Sequence, residues 1–171
     1  AYTLSVVNAG SDRPRLVTFQ MSLATADYPQ PGPRAQVYQR LVEKLRGVAG
    51  IQGASAMTGL PPNRPLDAND TDIGNYTAPP EGPFENVDYY QRVMTGYFET
   101  MGIPIVKGRA FEPADAASGP MVIVNETLVN TFWKDRDPIG QTLKPGLAPF
   151  AQVPDFRVIG VAKDVKQGGV D

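Results

Sequence analysis

Apolar and polar residues alternate over residues 16–24, LVTFQMSLA. The apolar side chains on one side of this segment are Val17, Phe19, Met21 and Leu23. Alternation with a period of two predicts a β-strand with one buried face. The next residues, 25–33, are rich in Pro and Gly, and because these residues favour turns we expect them to end the strand.

The apolar spacing changes to a helical one over residues 34–48. The residues at spacings of four, four and three are Val37, Leu41, Leu45 and Val48. This spacing predicts an amphipathic helix with one apolar stripe, and Pro33 suits its first turn while Gly47 or Gly50 can end it. The small residues 51–58 are interpreted as a second strand, so residues 16–58 predict a compact βαβ-like unit.

Residues 59–86 contain two Pro-rich stretches around a polar segment, which predicts a long excursion with at most one short strand. Beyond it, residues 87–94 have strand character, and residues 95–102 predict a short helix that ends at Gly102. Residues 103–111 are interpreted as a strand followed by a turn.

Residues 121–133, MVIVNETLVNTFW, change from strand to helix within one run. We expect a buried strand over Met121–Val124, followed by a helix capped by Asn125. A turn at 135–140, a short strand at 141–144 and an apolar strand at 155–165 complete the predicted elements. Phe98 and Trp133 are expected in the core.

Composition narrows the function classes. The 171 residues include no His and no Cys, which removes Ser–His–Asp and Cys–His triads and imidazole or thiolate metal ligands. Lys and Arg total 16 and Asp and Glu 18, a net charge of −2, with the signs interspersed. Without a basic stripe we expect no nucleic-acid binding. No run of about 18 apolar residues occurs, so no membrane-spanning segment is expected within the chain.

Carboxylates occur close together in two places, and a hydrolase would need two of them about 5 to 10 Å apart in a cleft. They are Asp67, Asp70 and Asp72 in the excursion, and Asp135 and Asp137 in a turn. Both groups are better explained by turn capping and solvation. The excursion also lacks the Gly and Glu of an EF-hand calcium loop, because Asp72 and Ala78 stand in those places. We therefore expect no catalytic, metal-binding or cofactor-binding residue.

Four residues are candidates for contact with a partner. Tyr89 and Tyr90 are adjacent in a predicted strand, so their side chains should face opposite sides and one of them is available to a partner. Lys107 and Arg109 flank Gly108, where they either contact an acidic partner or form a solvated hairpin tip.

Five ordered segments resemble the MacB-like periplasmic core domain of bacterial ABC-transporter permeases, in particular the large duplicated permeases of acidobacteria. The first combines VTFQMSL with VYQRLVEKLRGVAGI, and the others are GYFETMGIPIVKGRAF (96–111), VIVNETLVNTFW (122–133), DPIGQTL (137–143) and FRVIGVAKDV (156–165). Each segment alone is weakly specific, but together they cover residues 16–166 in the expected order.

The resemblance implies an α+β fold in two parts. A porter-like βαβ subdomain, which we expect to be incomplete, would comprise residues 1–58 with 156–171, and a mixed α/β subdomain of short strands and helices at 59–155 would be inserted into it. It also implies a non-catalytic periplasmic domain of an inner-membrane permease, which transmits conformational change or docks a partner during export.

The implied partners are the rest of the permease and an ATPase on another domain or subunit, since the chain has no phosphate-binding GxxxxGK[ST] loop. A periplasmic adaptor, an outer-membrane duct and a homodimer of the full transporter are further expectations. The membrane would be reached only through flanking transmembrane helices. An alternative from the residues alone is a periplasmic solute- or glycan-binding module that uses the aromatic residues around 89–98.

Overall fold

The computed structural model describes residues 3–5, 15–24, 26–58, 69–87, 90–145 and 154–165. The helices in these ranges are α1 (Pro31–Arg46), α2 (Tyr97–Met101), the 3₁₀ helix Pro113–Ala117 and α3 (Glu126–Phe132). The strands are β1 (Thr3–Ser5), β2 (Thr18–Gln20), β3 (Asn69–Ile73), β4 (Asn86–Val87), β5 (Ile105–Gly108), β6 (Met121–Asn125), β7 (Thr142–Pro145) and β8 (Phe156–Ala162). A largely antiparallel sheet with few helices confirms the predicted α+β class.

The strand β8 lies inside a six-stranded sheet whose order is β4–β3–β7–β8–β5, with β6 also paired to β8. β6 is parallel to β8, whereas β5 and β7 are antiparallel to it. β7 pairs with the beginning of β8 and β5 with its end, so these two strands follow one another along the edge of β8 opposite β6. β1 and β2 form a separate antiparallel pair.

The position of β8 follows from its sequence, because residues 158–162, VIGVA, are buried throughout, as expected of an apolar run in a strand covered on both faces. Gly160 is required at the centre, since a Cβ there would overlap the carbonyl oxygen of Arg109. Its partner in β5, Gly108, has φ +71°, and a Cβ there would overlap the carbonyl oxygen of Ile159 in β8. The two glycines let β5 approach β8 closely.

The core lies between this sheet and α3, and Trp133 is its largest fully buried side chain, with 1% of its surface exposed. The indole Nε1 donates to the carbonyl of Gly74 at 3.3 Å, so the polar atom of the ring is also satisfied. The predicted core position of Trp133 is confirmed. Phe98 is half-buried instead, and its ring contacts those of Tyr97 and Phe111.

The predicted local signals of α2 and α3 are confirmed. The side chain of Asn125 accepts a hydrogen bond from the amide of Leu128 at 3.0 Å, which caps the first turn of α3. Gly102 ends α2 in the left-handed conformation, with φ 69°.

The helix α1 begins three residues before the predicted start and ends at Arg46. Its buried residue is Val42, while the predicted stripe is less buried: Val37, Leu41 and Leu45 are half-buried, and Val48 lies beyond the helix end and is exposed.

In the described ranges no helix is long and apolar enough to cross a membrane.

Three strand predictions are corrected. Residues 51–58 form a single bridge, Met57 with Val93, because Gly53, Ala54 and Ser55 offer little apolar surface to hold a strand. The predicted strand 87–94 is reduced to the end of β4 and the same bridge, and residues 88–89 lie outside the described residues.

The predicted strand 16–24 shortens to β2, which pairs with β1. Its predicted buried face is only partly covered: Met21 and Leu23 are half-buried, but Val17 is 65% and Phe19 43% exposed. Burial of alternating residues requires a second layer over that face, and the described residues do not supply one for Val17 and Phe19.

The division of the chain into residues 1–58 with 156–171 and residues 59–155 stays a prediction. β8, placed in the first of these parts, is hydrogen-bonded to β5, β6 and β7, which belong to the second. This pairing argues for grouping residues 156–162 with the six-stranded sheet.

Candidate functional site

The predicted partner-contacting tyrosines divide between described and undescribed residues. The hydroxyl of Tyr90 is hydrogen-bonded to the hydroxyl of Thr71, which is fully buried, and the Tyr90 ring packs against the core. Tyr89 lies outside the described residues. The described tyrosine therefore turns its polar atom inward, and a role of either one in partner contact stays a prediction.

The predicted cationic pair is engaged by carboxylates of the chain itself. Nζ of Lys107 lies 3.1 Å from Oδ1 of Asp137. The guanidinium of Arg109 donates two hydrogen bonds to Asp115, of 2.7 and 2.6 Å, in a bidentate arrangement. An acidic partner would have to compete with these contacts, and such a contact stays a prediction.

The contacts with Arg109 and Lys107 help to lower the pKa values of Asp115 and Asp137. The hydrogen bond from Arg109, followed by one from the backbone amide of Glu112, lowers the pKa of Asp115 from 3.8 to about 2. The pKa of Asp137 is lowered first by the backbone amide of Ile139 and then by Lys107. The pKa of Arg109 is raised, chiefly by its hydrogen bond to Asp115.

The acidic residues considered for a hydrolase lie at the surface where they are described. Asp72, Asp135 and Asp137 are exposed, while Asp67 and the side chain of Asp70 lie outside the described part of the chain. In the described ranges the one fully buried polar side chain is Thr71, and no three His, Cys, Asp or Glu side chains gather as metal ligands. The buried carboxyl pair that a glycosidase needs is not found in this part of the chain.

A different feature connects distant parts of the chain, and we call it the junction: Arg46, residues 54–58 and residues 92–96. Arg46 is the last residue of α1. Its Nε donates to the carbonyl of Ala54 at 2.9 Å, and its Nη2 donates to the carbonyl of Thr95 at 2.7 Å. One guanidinium thus holds the end of α1 to both other segments of the junction.

These two segments also bond to each other in an antiparallel manner. The amide of Met94 donates to the carbonyl of Ala56 at 2.8 Å, and the amide of Thr58 donates to the carbonyl of Arg92 at 2.9 Å. The hydroxyl of Ser55 donates to the carbonyl of Met94 at 3.1 Å. Backbone bonds at these positions hold the segments together although they form no regular strand.

Gly96 is needed for Arg46 to reach its position. It has φ +81°, and a Cβ on it would lie 2.6 Å from Nη2 of Arg46. The carbonyl of Gly96 accepts the amide of Thr100 at 3.0 Å in the first turn of α2. The end of α1 and the start of α2 therefore meet where a side chain would not fit.

A cleft of about 420 Å³ opens beside the junction. The residues that define it include Arg46, Gly53, Thr95, Glu99, Phe111 and Glu112. Phe111 is the one aromatic residue among those that line it. A solute- or glycan-binding module would be expected to line its cleft with several aromatic side chains, and the described aromatic residues of the range 90–98 do not line this one.

Sequence reasoning did not find the junction. Arg46 belongs to the polar residues of an amphipathic helix, and Gly96 is one of 17 glycines, so neither is distinguished by its local pattern. The bond from Arg46 to Thr95 joins residues 49 positions apart, and no sequence period signals such a contact.

Comparison with known protein families matches almost the whole chain to one of them. Residues 3–171 match the family described as the MacB-like periplasmic core domain. A stretch of 73 residues, 42% of the chain, is 34% identical to the macrolide export ATP-binding/permease protein MacB 1/2 of Paracoccus denitrificans (strain Pd 1222). The match covers 10% of the length of that relative.

Two solved structures have a similar fold. The periplasmic region of MacB from Actinobacillus actinomycetemcomitans aligns with a TM-score of 0.54 and 20% identity, over 77% of this chain and 52% of that one. The extracellular domain of the noncanonic ABC-type transporter YknZ from Gram-positive bacteria aligns with a TM-score of 0.50 and 18% identity, over 77% and 59%. The chain thus spans little more than half of each of these structures.

Proposed function

The chain belongs to the family of MacB-like periplasmic core domains, and from this membership we propose that it is a non-catalytic module that transmits conformational change or docks a periplasmic partner during export. It is a periplasmic domain of an inner-membrane permease of the ABC type. Its ATPase lies on another domain or subunit of the transporter. The proposed external partners are a periplasmic adaptor and an outer-membrane duct, and the proposed assembly of the full transporter is a homodimer.

The observation that carries the transmission role is the junction. A domain that passes on movement needs directional bonds between its parts, and Arg46 makes such bonds from α1 to two segments at once. These bonds end on backbone carbonyls, so they depend on the position of the chain and not on neighbouring side chains. Movement of α1 would therefore displace the start of α2.

The docking role rests on surface chemistry. Lys107 and Arg109 carry exposed charge on β5 and directly after it. The carboxylate partner of Lys107, Asp137, is exposed, whereas that of Arg109, Asp115, is largely covered. Exposed ion pairs contribute little to folding stability, so an acidic segment of a partner can replace Asp137 at little cost, and Arg109 can offer the part of its guanidinium that Asp115 leaves exposed. The proposed partner surface includes these two cations.

A deletion in the complete transporter tests the proposed function. Replacing this chain by a short flexible linker should abolish export of a transported compound by membrane vesicles, while the transporter still hydrolyses ATP. Hydrolysis without export is the expected result of uncoupling. Undiminished export after the deletion would overturn the proposal, and micromolar binding of a sugar or peptide to the isolated chain by calorimetry would overturn its purely mechanical form.

A further inference from the structure

We propose that Arg46 is a positioning residue that latches α1 to α2, so that displacement of the helix reaches the six-stranded sheet; the inference rests on the proposed function and deepens it. The latch is the guanidinium of Arg46 on the carbonyls of Ala54 and Thr95. Within the described residues, Arg46 is the α1 residue that hydrogen-bonds to the chain beyond position 58.

The chemistry of arginine suits this role. Its guanidinium is planar and presents donors in fixed directions, so two carbonyls bound by Nε and Nη2 fix both the place and the orientation of the side chain. Lys carries one compact ammonium group on a flexible stem and does not reproduce this geometry. The two acceptors lie on segments 41 residues apart in sequence, and the bonds therefore join parts of the chain that are otherwise distant.

From the latch, a path of chain connections and backbone hydrogen bonds leads to the sheet. Thr95 precedes Gly96, the N-cap residue of α2, and the amide of Ile103 donates to the carbonyl of Phe98 at 2.8 Å at the other end of that helix. The amide of Lys163 then donates to the carbonyl of Pro104 at 2.9 Å, next to β5 and β8. A shift of Arg46 is passed along this path to the central strand.

The surroundings of Arg46 allow the latch to open. Arg46 is exposed and borders the cleft of about 420 Å³, so water reaches the guanidinium. Opening exchanges hydrogen bonds to carbonyls for hydrogen bonds to water and disrupts no part of the core. A contact of this kind can form and break during a transport cycle without unfolding the domain.

The test uses Arg46→Gln in the complete transporter, with Arg40→Gln as its matched control. Arg40 is an exposed residue of the same helix, and its side chain makes none of the hydrogen bonds found for the described side chains of α1. Spin labels placed on exposed positions of α1 and of β5 should show a broader distance distribution in the Arg46 variant. Amide hydrogen exchange of residues 97–101 should accelerate by about three- to tenfold, as expected for the loss of an exposed charge-assisted bond.

Export should fall in the Arg46 variant while ATP hydrolysis persists, and Arg40→Gln should behave as the unaltered transporter. Unchanged distances and exchange in Arg46→Gln would overturn the latch. If deletion of the whole domain abolishes export but Arg46→Gln does not reduce it, the latch fails and the proposed function stands. If deletion leaves export intact, the proposed function fails, and the distance and exchange measurements still decide whether Arg46 joins α1 to α2.

Arg46→Lys and Gly96→Ala keep the test decisive if Arg46→Gln does not fold. Arg46→Lys keeps the positive charge but loses the two donors Nε and Nη2. It should show the same broadening of the distances between the spin labels. Gly96→Ala leaves the guanidinium intact but places a Cβ 2.6 Å from Nη2, so it should displace the latch from the opposite side. Two folded variants with the distance distribution of the unaltered protein would contradict the inference.

Discussion

The guanidinium of Arg109 and the carboxylate of Asp115 face each other through two parallel hydrogen bonds, of 2.7 and 2.6 Å. Asp115 also accepts the amide of Glu112 at 2.8 Å, in a capping box at the start of the 3₁₀ helix Pro113–Ala117. The pair therefore ties the residue that follows β5 to the segment that leads to β6.

This pair predicts a specific dependence of stability on pH. The folded-state pKa of Asp115, about 2, lies below its unfolded value of 3.8, so its stabilising contribution is fully present above about pH 4 and is lost as the pH falls toward 2. Asp115→Asn should be less stable than the unaltered protein at pH 6, and the difference should shrink between pH 4 and 2. Urea unfolding at a series of pH values measures it. Asp135→Asn, in an exposed turn, should leave stability nearly unchanged.

The close approach of β5 and β8 predicts that the paired glycines do not tolerate a side chain. Gly160→Ala should lower the free energy of unfolding by about 2 to 4 kcal/mol, because the new methyl group meets the backbone carbonyl of Arg109. Gly108→Ala should cost at least as much, because φ +71° adds strain. Thermal unfolding followed by circular dichroism measures both. Gly32→Ala in α1, where nothing lies within 4 Å of the added Cβ, should be neutral or slightly stabilising; an equal loss there would contradict the steric argument.

The buried indole predicts a large loss of stability on truncation. Trp133→Ala should lower the free energy of unfolding by about 3 to 5 kcal/mol, since it leaves a cavity and removes the donor to the carbonyl of Gly74. Denaturant titration followed by far-ultraviolet circular dichroism measures the change. Phe84→Ala, at an exposed aromatic residue, should change stability by less than about 0.5 kcal/mol. Similar losses at both positions would show that Trp133 is not central to the core.

The cap of α3 predicts a smaller effect. Asn125→Ala should cost about 1 kcal/mol, because the amide of Leu128 loses its acceptor. Asn125→Ser should restore most of that loss, and Asn130→Ala, exposed within the same helix, should cost little. Urea midpoints of the three variants check this order. If Asn125→Ser is as unstable as Asn125→Ala, the Asn125 side chain does not stabilise the helix as a cap.

Prediction from the sequence succeeded where the signal was local. The strand and helix of residues 121–133 were predicted because an apolar run, a capping Asn and a helical stripe follow one another directly. The short helix ending at Gly102 and the apolar strand around Val158 were predicted for the same reason. The ordered segments that include these elements also indicated the family, which the match over residues 3–171 establishes.

Prediction failed where burial or bonding depends on distant residues. The alternation at Val17 and Phe19 is a strand pattern, yet burial of those side chains requires a second layer, and the described structure leaves both exposed. Residues 51–58 have strand-like composition in part, but their hydrogen bonds are fixed by residues 92–94. A pattern read along the chain cannot contain that information.

The sequence by itself determined the absence of His and Cys, the capped helix α3 and the apolar strand β8, since composition and short-range periods are properties of neighbouring residues, while the α+β class followed from the family resemblance. Only the tertiary structure decided that Gly108 and Gly160 face each other and that Arg46 holds the carbonyls of Ala54 and Thr95. These contacts join residues that are far apart in the chain, and their geometry is set by how the sheet and α1 pack. The physical reason is that a hydrogen bond or a close approach depends on distance in space, which local sequence does not specify.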